Sequence, residues 1–205
     1  TINKSLKRQG LIAKAAKLFK VTTDSNHALP VAQNLLERNF SAHQPNEKWV
    51  TDITYIQTTE GWLYLAVMID LYSRKIVGWS MSKNIDAQLV CDALTMALWR
   101  RKFPQGVIVH SDRGSQYASH AFRDLLKKYS LTQSMSRKGD CWDNACAESF
   151  FHSLKVELIH GEPLLNGKQT RESIFEYIEV DYNRYRRHSA IGFISPECFE
   201  ARNVC

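Results

Sequence analysis

The sequence lacks an uninterrupted apolar run of membrane-spanning length, a Cys-x-x-Cys pair, an internal repeat and a low-complexity tract. The first absence excludes a transmembrane helix, which needs about 20 consecutive apolar residues. The five cysteines, Cys91, Cys141, Cys146, Cys198 and Cys205, are odd in number and never closely spaced, so neither a zinc site nor a closed disulfide framework is expected. They read as reduced cytosolic thiols. The first 20 residues are a Lys-rich amphipathic stretch without an apolar core or cleavage site, so no targeting peptide is expected there. What is present is 44% apolar, 11% aromatic and 23% charged residues over 205 positions. That is enough to bury a substantial core in one domain or one and a half, and too much burial potential for a disordered tail.

Acidic charge is scarce at one end. Of the net +6, residues 1–40 hold +5, with 7 basic and 2 acidic groups, while residues 161–205 hold −1. Lys4, Lys7, Arg8, Lys14, Lys17 and Lys20 therefore form a basic N-terminal arm, which is either a solvated face or a phosphate-contacting one. Leu6, Leu11, Ile12, Ala15, Ala16 and Phe19 recur at helical spacing around Gly10, so a short helix pair is predicted over 2–8 and 11–19. The arm begins at Thr1 without an initiator Met, as the tail of something larger would. From Val21 to Asn46 the periodicity fades between Pro30 and Pro45 into an extended linker, and the compact domain is expected to begin near Trp49.

Three strand-like segments follow, Trp49–Gln57, Trp62–Asp70 and Ile76–Ser82, separated by short turns, which predicts an antiparallel meander. Asp86–Lys102 carries Leu89, Val90, Ala93, Leu94, Ala97 and Leu98 on one helical face. Gly106–Ser111 has the pattern of a buried parallel strand. Helices are expected at Ser119–Tyr129, Asp143–His160 and Gln169–Tyr185, with a strand at Leu131–Met135. The order describes an α/β domain with a mixed sheet and helices on both faces. Trp49, Trp62, Trp79 and Trp99 are expected in the core.

Three acids stand out. Asp52 interrupts the β-branched and aromatic run Trp49-Val50-Thr51-Asp52-Ile53-Thr54-Tyr55, Asp112 closes the fourth strand before Gly114, and Glu148 lies in the first turns of the third helix. Singly, each has a structural explanation: a paired strand Asp, a turn-bonding Asp, a dipole-favouring Glu. Together they strain it. The first and fourth strands are expected to be neighbours beneath that helix start, and three carboxylates in one cleft repel unless a cation is present. Hard oxygen ligands suit Mg²⁺. Asp70 reads instead as a turn-stabilising residue and Asp143 as a helix cap.

Asp52, Asp112 and Glu148, with Lys155 seven residues beyond the Glu, resemble the DDE pattern of retroviral-integrase-like transposases, specifically the long-frame protein of bacterial insertion sequences. The strings Trp49–Tyr55, Gly61–Leu65, Ile69–Trp79, His110-Ser111-Asp112-Arg113-Gly114-Ser115-Gln116-Tyr117 and Tyr182-Asn183 leading to Arg187-His188 extend the resemblance over nearly the whole chain. It implies a ribonuclease-H-like, mixed five-stranded sheet flanked by helices and preceded by the short basic arm. It implies a division into residues 1–46, arm, linker and remnant of an upstream DNA-binding region, and 47–205, the catalytic core with a C-terminal helical extension. It further implies two Mg²⁺ or Mn²⁺ ions held by Asp52, Asp112 and Glu148 as catalytic and metal residues, DNA at transposon ends and target as partner, a homodimer or higher assembly on DNA, no membrane, and the bacterial cytoplasm. The reaction implied is cleavage at transposon ends followed by strand transfer, in which no protein nucleophile is required.

Lys155 projects from the same helical face as Glu148, which by itself describes an ordinary solvent-facing pair; the resemblance implies that Lys155 meets phosphate. Arg113, Gln116 and Tyr117, on the loop after Asp112, are candidates for DNA contact, as are Lys14 and Lys17 of the arm. Arg184 and Arg187 at the end of the last helix are equally suited to DNA contact or to helix capping, and the same holds for Arg186. Two competing functions remain at this level: a ribonuclease-H-like nuclease without joining activity, and a transposase-derived DNA-binding protein whose chemistry has lapsed.

Overall fold

The computed structural model describes residues 8–9, 29–137 and 144–203. Apart from Arg8, the predicted helix pair at 2–8 and 11–19, with Lys14 and Lys17, lies outside the described residues, as does the capping residue Asp143.

Alternating β-branched and aromatic positions produce the meander: β1 (Lys48–Thr58), β2 (Gly61–Asp70) and β3 (Ile76–Ser82). Helix α1 (Ala87–Arg100) opens on Asp86, whose carboxylate accepts from the Leu89 amide at 3.0 Å. The chain then forms β4 (Ile108–Ser111), the single turn α2 (Ser115–Ala118), α3 (His120–Lys128) and β5 (Thr132–Met135). Helix α4 (Ala145–Leu154) widens into a π-helical turn at Lys155–Ile159, and α5 (Gly167–Glu176) widens likewise over Tyr177–Tyr185. A 3₁₀ turn at Ser189–Ile191 leads to α6 (Pro196–Asn203), an element without a strong apolar stripe that the periodicity did not mark.

The strand order is β3-β2-β1-β4-β5, antiparallel within the meander and parallel for β1/β4 and β4/β5. The expected adjacency of the first and fourth strands is present. Pairing between them covers only Lys48–Val50 of β1 against Ile108–His110. From Thr51 onward, β1 outruns its neighbour, and the carboxyl ends of two such parallel strands are where open α/β sheets place their site clefts.

Each sheet face carries its own core. Trp49, Ala66, Met68 and Val109 pack under α1 and α3, while Val50, Leu65, Val67 and Ile69 pack under α4 and α5. Contact with α1 is close at Gly78, where a Cβ would stand 2.2 Å from the Ala93 carbonyl oxygen, so β3 requires glycine there. Residues 29–46 are irregular but docked. Leu36 is 1% exposed, and the Leu35 amide donates to Ser134 Oγ at 2.9 Å.

Two of the four tryptophans expected inside are outside: Trp62 is 47% exposed and Trp99 68% exposed. Trp62 lies at the start of β2 against the Tyr55 ring edge, and Trp99 lies at the end of α1 against Phe103. Trp49 is fully buried, and Trp79 is half-buried with its indole N–H donating to Glu179 at 2.6 Å. Asp70 stabilises its turn as predicted, accepting from the Tyr72 amide at 3.0 Å and the Asn46 amide at 2.9 Å.

Candidate active site

Asp52 and Asp112 reach the cleft from adjacent parallel strands. The Asp52 carboxylate accepts from the amide of Ile53 at 2.8 Å, and Asp112 accepts from the amide of Gly114 at 2.9 Å, so each is fixed by its own backbone. Burial, then repulsion from Asp112 and more weakly from Glu148, pushes the Asp52 carboxyl well above the ordinary aspartate value, against the opposing Ile53 bond and the Lys155 charge. Burial also raises Glu148, which is half-buried in the first turns of α4. The three acids therefore share one field. Among the described residues no three His, Cys, Asp or Glu side chains stand close enough to enclose a metal ion. The donor set is nonetheless all hard oxygen, and the destabilised Asp52 charge is of the kind a divalent cation offsets, so the residues fit such an ion chemically.

Lys155 completes the cluster. Its ammonium lies 4.8 Å from the centroid of the Tyr55 ring. Burial lowers its proton affinity while the Asp52 charge opposes that shift. Tyr55 escaped the sequence reading and joins the site only through the Lys155 ammonium above its ring.

Tyr117 is a correction. Predicted on an exposed loop, it lies in α2 at 1% exposure with its hydroxyl 3.1 Å from Thr51 Oγ1. Burial, and then the charges of Asp52 and Asp112, push its phenol up, so it stays protonated, and its side chain is not on the exposed surface where DNA contact was expected. Arg113 is half-buried and spends Nε on the Ser136 carbonyl at 2.7 Å. Gln116 reaches the Ile85 carbonyl at 3.4 Å. Arg184 is exposed and pairs with Glu197 at 3.5 Å, and Arg187 is exposed.

Two further residues position the acids without a sequence signal of their own. The His110 ring lies 2.8 Å from Ser134 Oγ through Nδ1 and 3.2 Å from Ser136 Oγ through Nε2, tying the end of β4 to the end of β5 and the residue after it just before Asp112. Asn144, 5% exposed at the start of α4, donates from Nδ2 to the Thr51 carbonyl at 3.4 Å, linking the helix of Glu148 to the strand of Asp52.

Comparison with known proteins gives the family and the fold. Residues 42–141 and 148–204 match two models described as integrase core domain. The chain is 59% identical over 204 residues to the transposase InsF for insertion sequence IS3A of Escherichia coli strain K12, covering 100% of this chain and 71% of that protein. It is 46% identical over 192 residues to the insertion element IS600 uncharacterized 31 kDa protein of Shigella sonnei, covering 94% and 71%. Among solved structures, a chain of the simian T-cell lymphotropic virus intasome superposes with TM-score 0.64 at 15% identity, over 91% of this chain and 61% of that one. The HTLV-2 integrase catalytic core domain in complex with magnesium, in its trimeric form, gives 0.55 at 15% identity, over 76% and 96%. These structural likenesses establish the fold, a ribonuclease-H-like mixed sheet, and the sequence identities establish the lineage. The chain belongs to the family of insertion-sequence transposases built on an integrase core.

Proposed function

We propose that this chain cuts DNA at transposon ends and joins the cut strand to a target, with Asp52, Asp112 and Glu148 as its acidic triad. The observation that carries the reading is the convergence of Asp52 and Asp112 where β1 outruns β4, with Glu148 and Lys155 of the α4 segment inside their field. Asp52 and Asp112 would anchor Mg²⁺ or Mn²⁺, two ions per site, with Glu148 completing one shell. When bound, the cations offset charge on the attacking and leaving oxygens of an in-line displacement at phosphorus.

The chain's own residues supply position. The amide bonds to Asp52 and Asp112 aim both carboxylates into the cleft. Lys155, held over Tyr55 beside Asp52, meets a non-bridging phosphate oxygen. Tyr117 seals the floor against the core. In the first step water attacks a phosphodiester, and a P–O bond breaks to release a DNA 3′-OH. In the second, that hydroxyl attacks another phosphodiester, forming a new P–O bond as the target bond breaks.

Residues 1–46 act as a basic arm and linker that add DNA affinity through Lys14 and Lys17, and residues 47–205 act as the catalytic core and its helical extension. Arg113, Gln116, Arg184 and Arg187 extend the DNA track. The partners are transposon-end and target DNA, the working assembly is a homodimer or larger, and the setting is the bacterial cytoplasm. No helix among the described residues is long and apolar enough to cross a membrane.

Incubating the protein with labelled transposon-end DNA and Mn²⁺ tests the reading. Joined products are expected. Cut products alone would indicate a ribonuclease-H-like nuclease, and a mobility shift with neither product would indicate a lapsed DNA-binding protein.

A further inference from the structure

Arg186 closes on the two residues that flank Lys155. Its Nη2 donates to Ser153 Oγ at 2.9 Å and to Glu157 Oε1 at 3.0 Å, and its Nε reaches the two Glu157 oxygens at 3.1 and 3.2 Å. Tyr177 adds a fourth bond to that carboxylate, its hydroxyl donating to Glu157 Oε2 at 2.7 Å. Between Ser153 and Glu157 the helix changes character. Lys155 opens a π-helical turn in which its carbonyl accepts from the His160 amide at 2.7 Å, five residues on. Wide turns of this kind are rare and gather at functional sites.

Arg186 is itself held from a second wide turn, its amide donating to the Asp181 carbonyl at 2.6 Å. The guanidinium carbon lies 5.8 Å from the Tyr182 ring, and Tyr182 packs edge-on at 4.8 Å against Phe150, two residues past Glu148. The Glu157 side chain is 42% exposed and that of Arg186 29% exposed, so the pair adds little to stability for its charge alone. Four bonds on one carboxylate fix geometry instead.

We infer that Arg186 and Glu157 are positioning residues that hold the wide turn opening at Lys155, so that the Lys155 ammonium stays against Tyr55 and Asp52. The inference rests on the reading of Asp52 and Lys155 as parts of the DNA-processing site. Without the clamp the turn relaxes, Lys155 leaves the ring, and the phosphate loses its cation at the reacting position.

The test uses the full chain with two readouts. In the first, the ε-methylene resonance of Lys155, assigned by its loss in Lys155→Arg, reports the Tyr55 ring without DNA or metal. In the second, single-turnover Mn²⁺-dependent cleavage of transposon-end DNA is measured for Arg186→Gln, Glu157→Gln, Lys155→Ala and the Arg186→Gln/Lys155→Ala double variant. Loss of the ring shift in Arg186→Gln and Glu157→Gln is expected, with cleavage slowed by about 10- to 100-fold and the double variant no slower than Lys155→Ala. An unchanged Lys155 resonance in Arg186→Gln overturns the proposal, as does a double variant in which the two losses multiply. Cleavage unchanged in Arg186→Gln while Lys155→Ala slows it also overturns the proposal. Cleavage unchanged in both single variants, with the resonance moved, overturns the reading of Lys155 as a phosphate contact and the clamp's role with it.

Discussion

The Lys155 ammonium lies 4.8 Å from the centroid of the Tyr55 ring, on the strand that carries Asp52 three residues earlier. An aromatic face holds a cation for about 0.5–2 kcal/mol without neutralising it, which leaves the charge available to a phosphate. Lys155→Gln should therefore weaken binding of duplex DNA and reduce the slope of log affinity against log salt by about 0.9. Fluorescence anisotropy over a salt series measures both, and Tyr55→Leu should give a smaller loss of the same kind.

Asp52 is held well above the ordinary aspartate value by burial and by Asp112, so the folded chain binds its proton more tightly than the unfolded chain does. Its contribution to stability consequently falls as pH rises from the ordinary aspartate range through the raised folded value. Metal-free Asp52→Asn should gain melting temperature relative to wild type as pH increases upward from the ordinary aspartate range. Melting curves in a chelator across that range check the sign.

Asp70 is fully buried, and Arg101 pairs with it at 3.3 Å while also gripping Glu200 of α6, which accepts from Ser73 at 2.6 Å. Burial raises Asp70, and Arg101 is among the groups that lower it again. Arg101→Met should remove the ion-pair partner of buried Asp70 and loosen α6, at a cost of about 3–5 kcal/mol. Urea denaturation followed by circular dichroism measures that loss.

Tyr117→Phe removes one buried hydroxyl bond to Thr51. A loss of about 1 kcal/mol in urea denaturation is expected, with DNA affinity unaltered because the ring does not reach the surface. Weaker DNA binding with unchanged stability would return Tyr117 to the DNA-contacting surface.

The sheet was legible because its signals are local. Alternation and turn residues delimited β1 to β3, and Asp86 announced α1 by a side chain that caps it. What stayed hidden depends on packing at a distance. The π-helical continuations after Leu154 and Glu176 have no spacing signature in a 3.6-residue pattern, and α6 lacks an apolar stripe, being tied down by Glu200 through Arg101, Ser73 and Lys75. Residue type placed Trp62 and Trp99 inside, and a place on the loop after Asp112 put Tyr117 outside. Each was reversed by position: a strand start, a helix end, and a short helix turned toward Thr51. The acids could be read as a set because three carboxylates brought together are costly without a shared purpose, and in the structure the charges of Asp112 and Glu148 both act on Asp52. Arg186 gave no comparable signal, since its partners Ser153 and Glu157 lie about 30 residues earlier.

The most direct test of the site compares Asp52→Asn, Asp112→Asn and Glu148→Gln with wild type in Mn²⁺-dependent cleavage and joining of labelled transposon-end DNA. All three variants should yield neither product while melting at or above the wild-type temperature, because each loses a metal-binding charge and relieves repulsion among the acids. Near-normal strand transfer by any one of them would contradict the triad and remove that residue from the site.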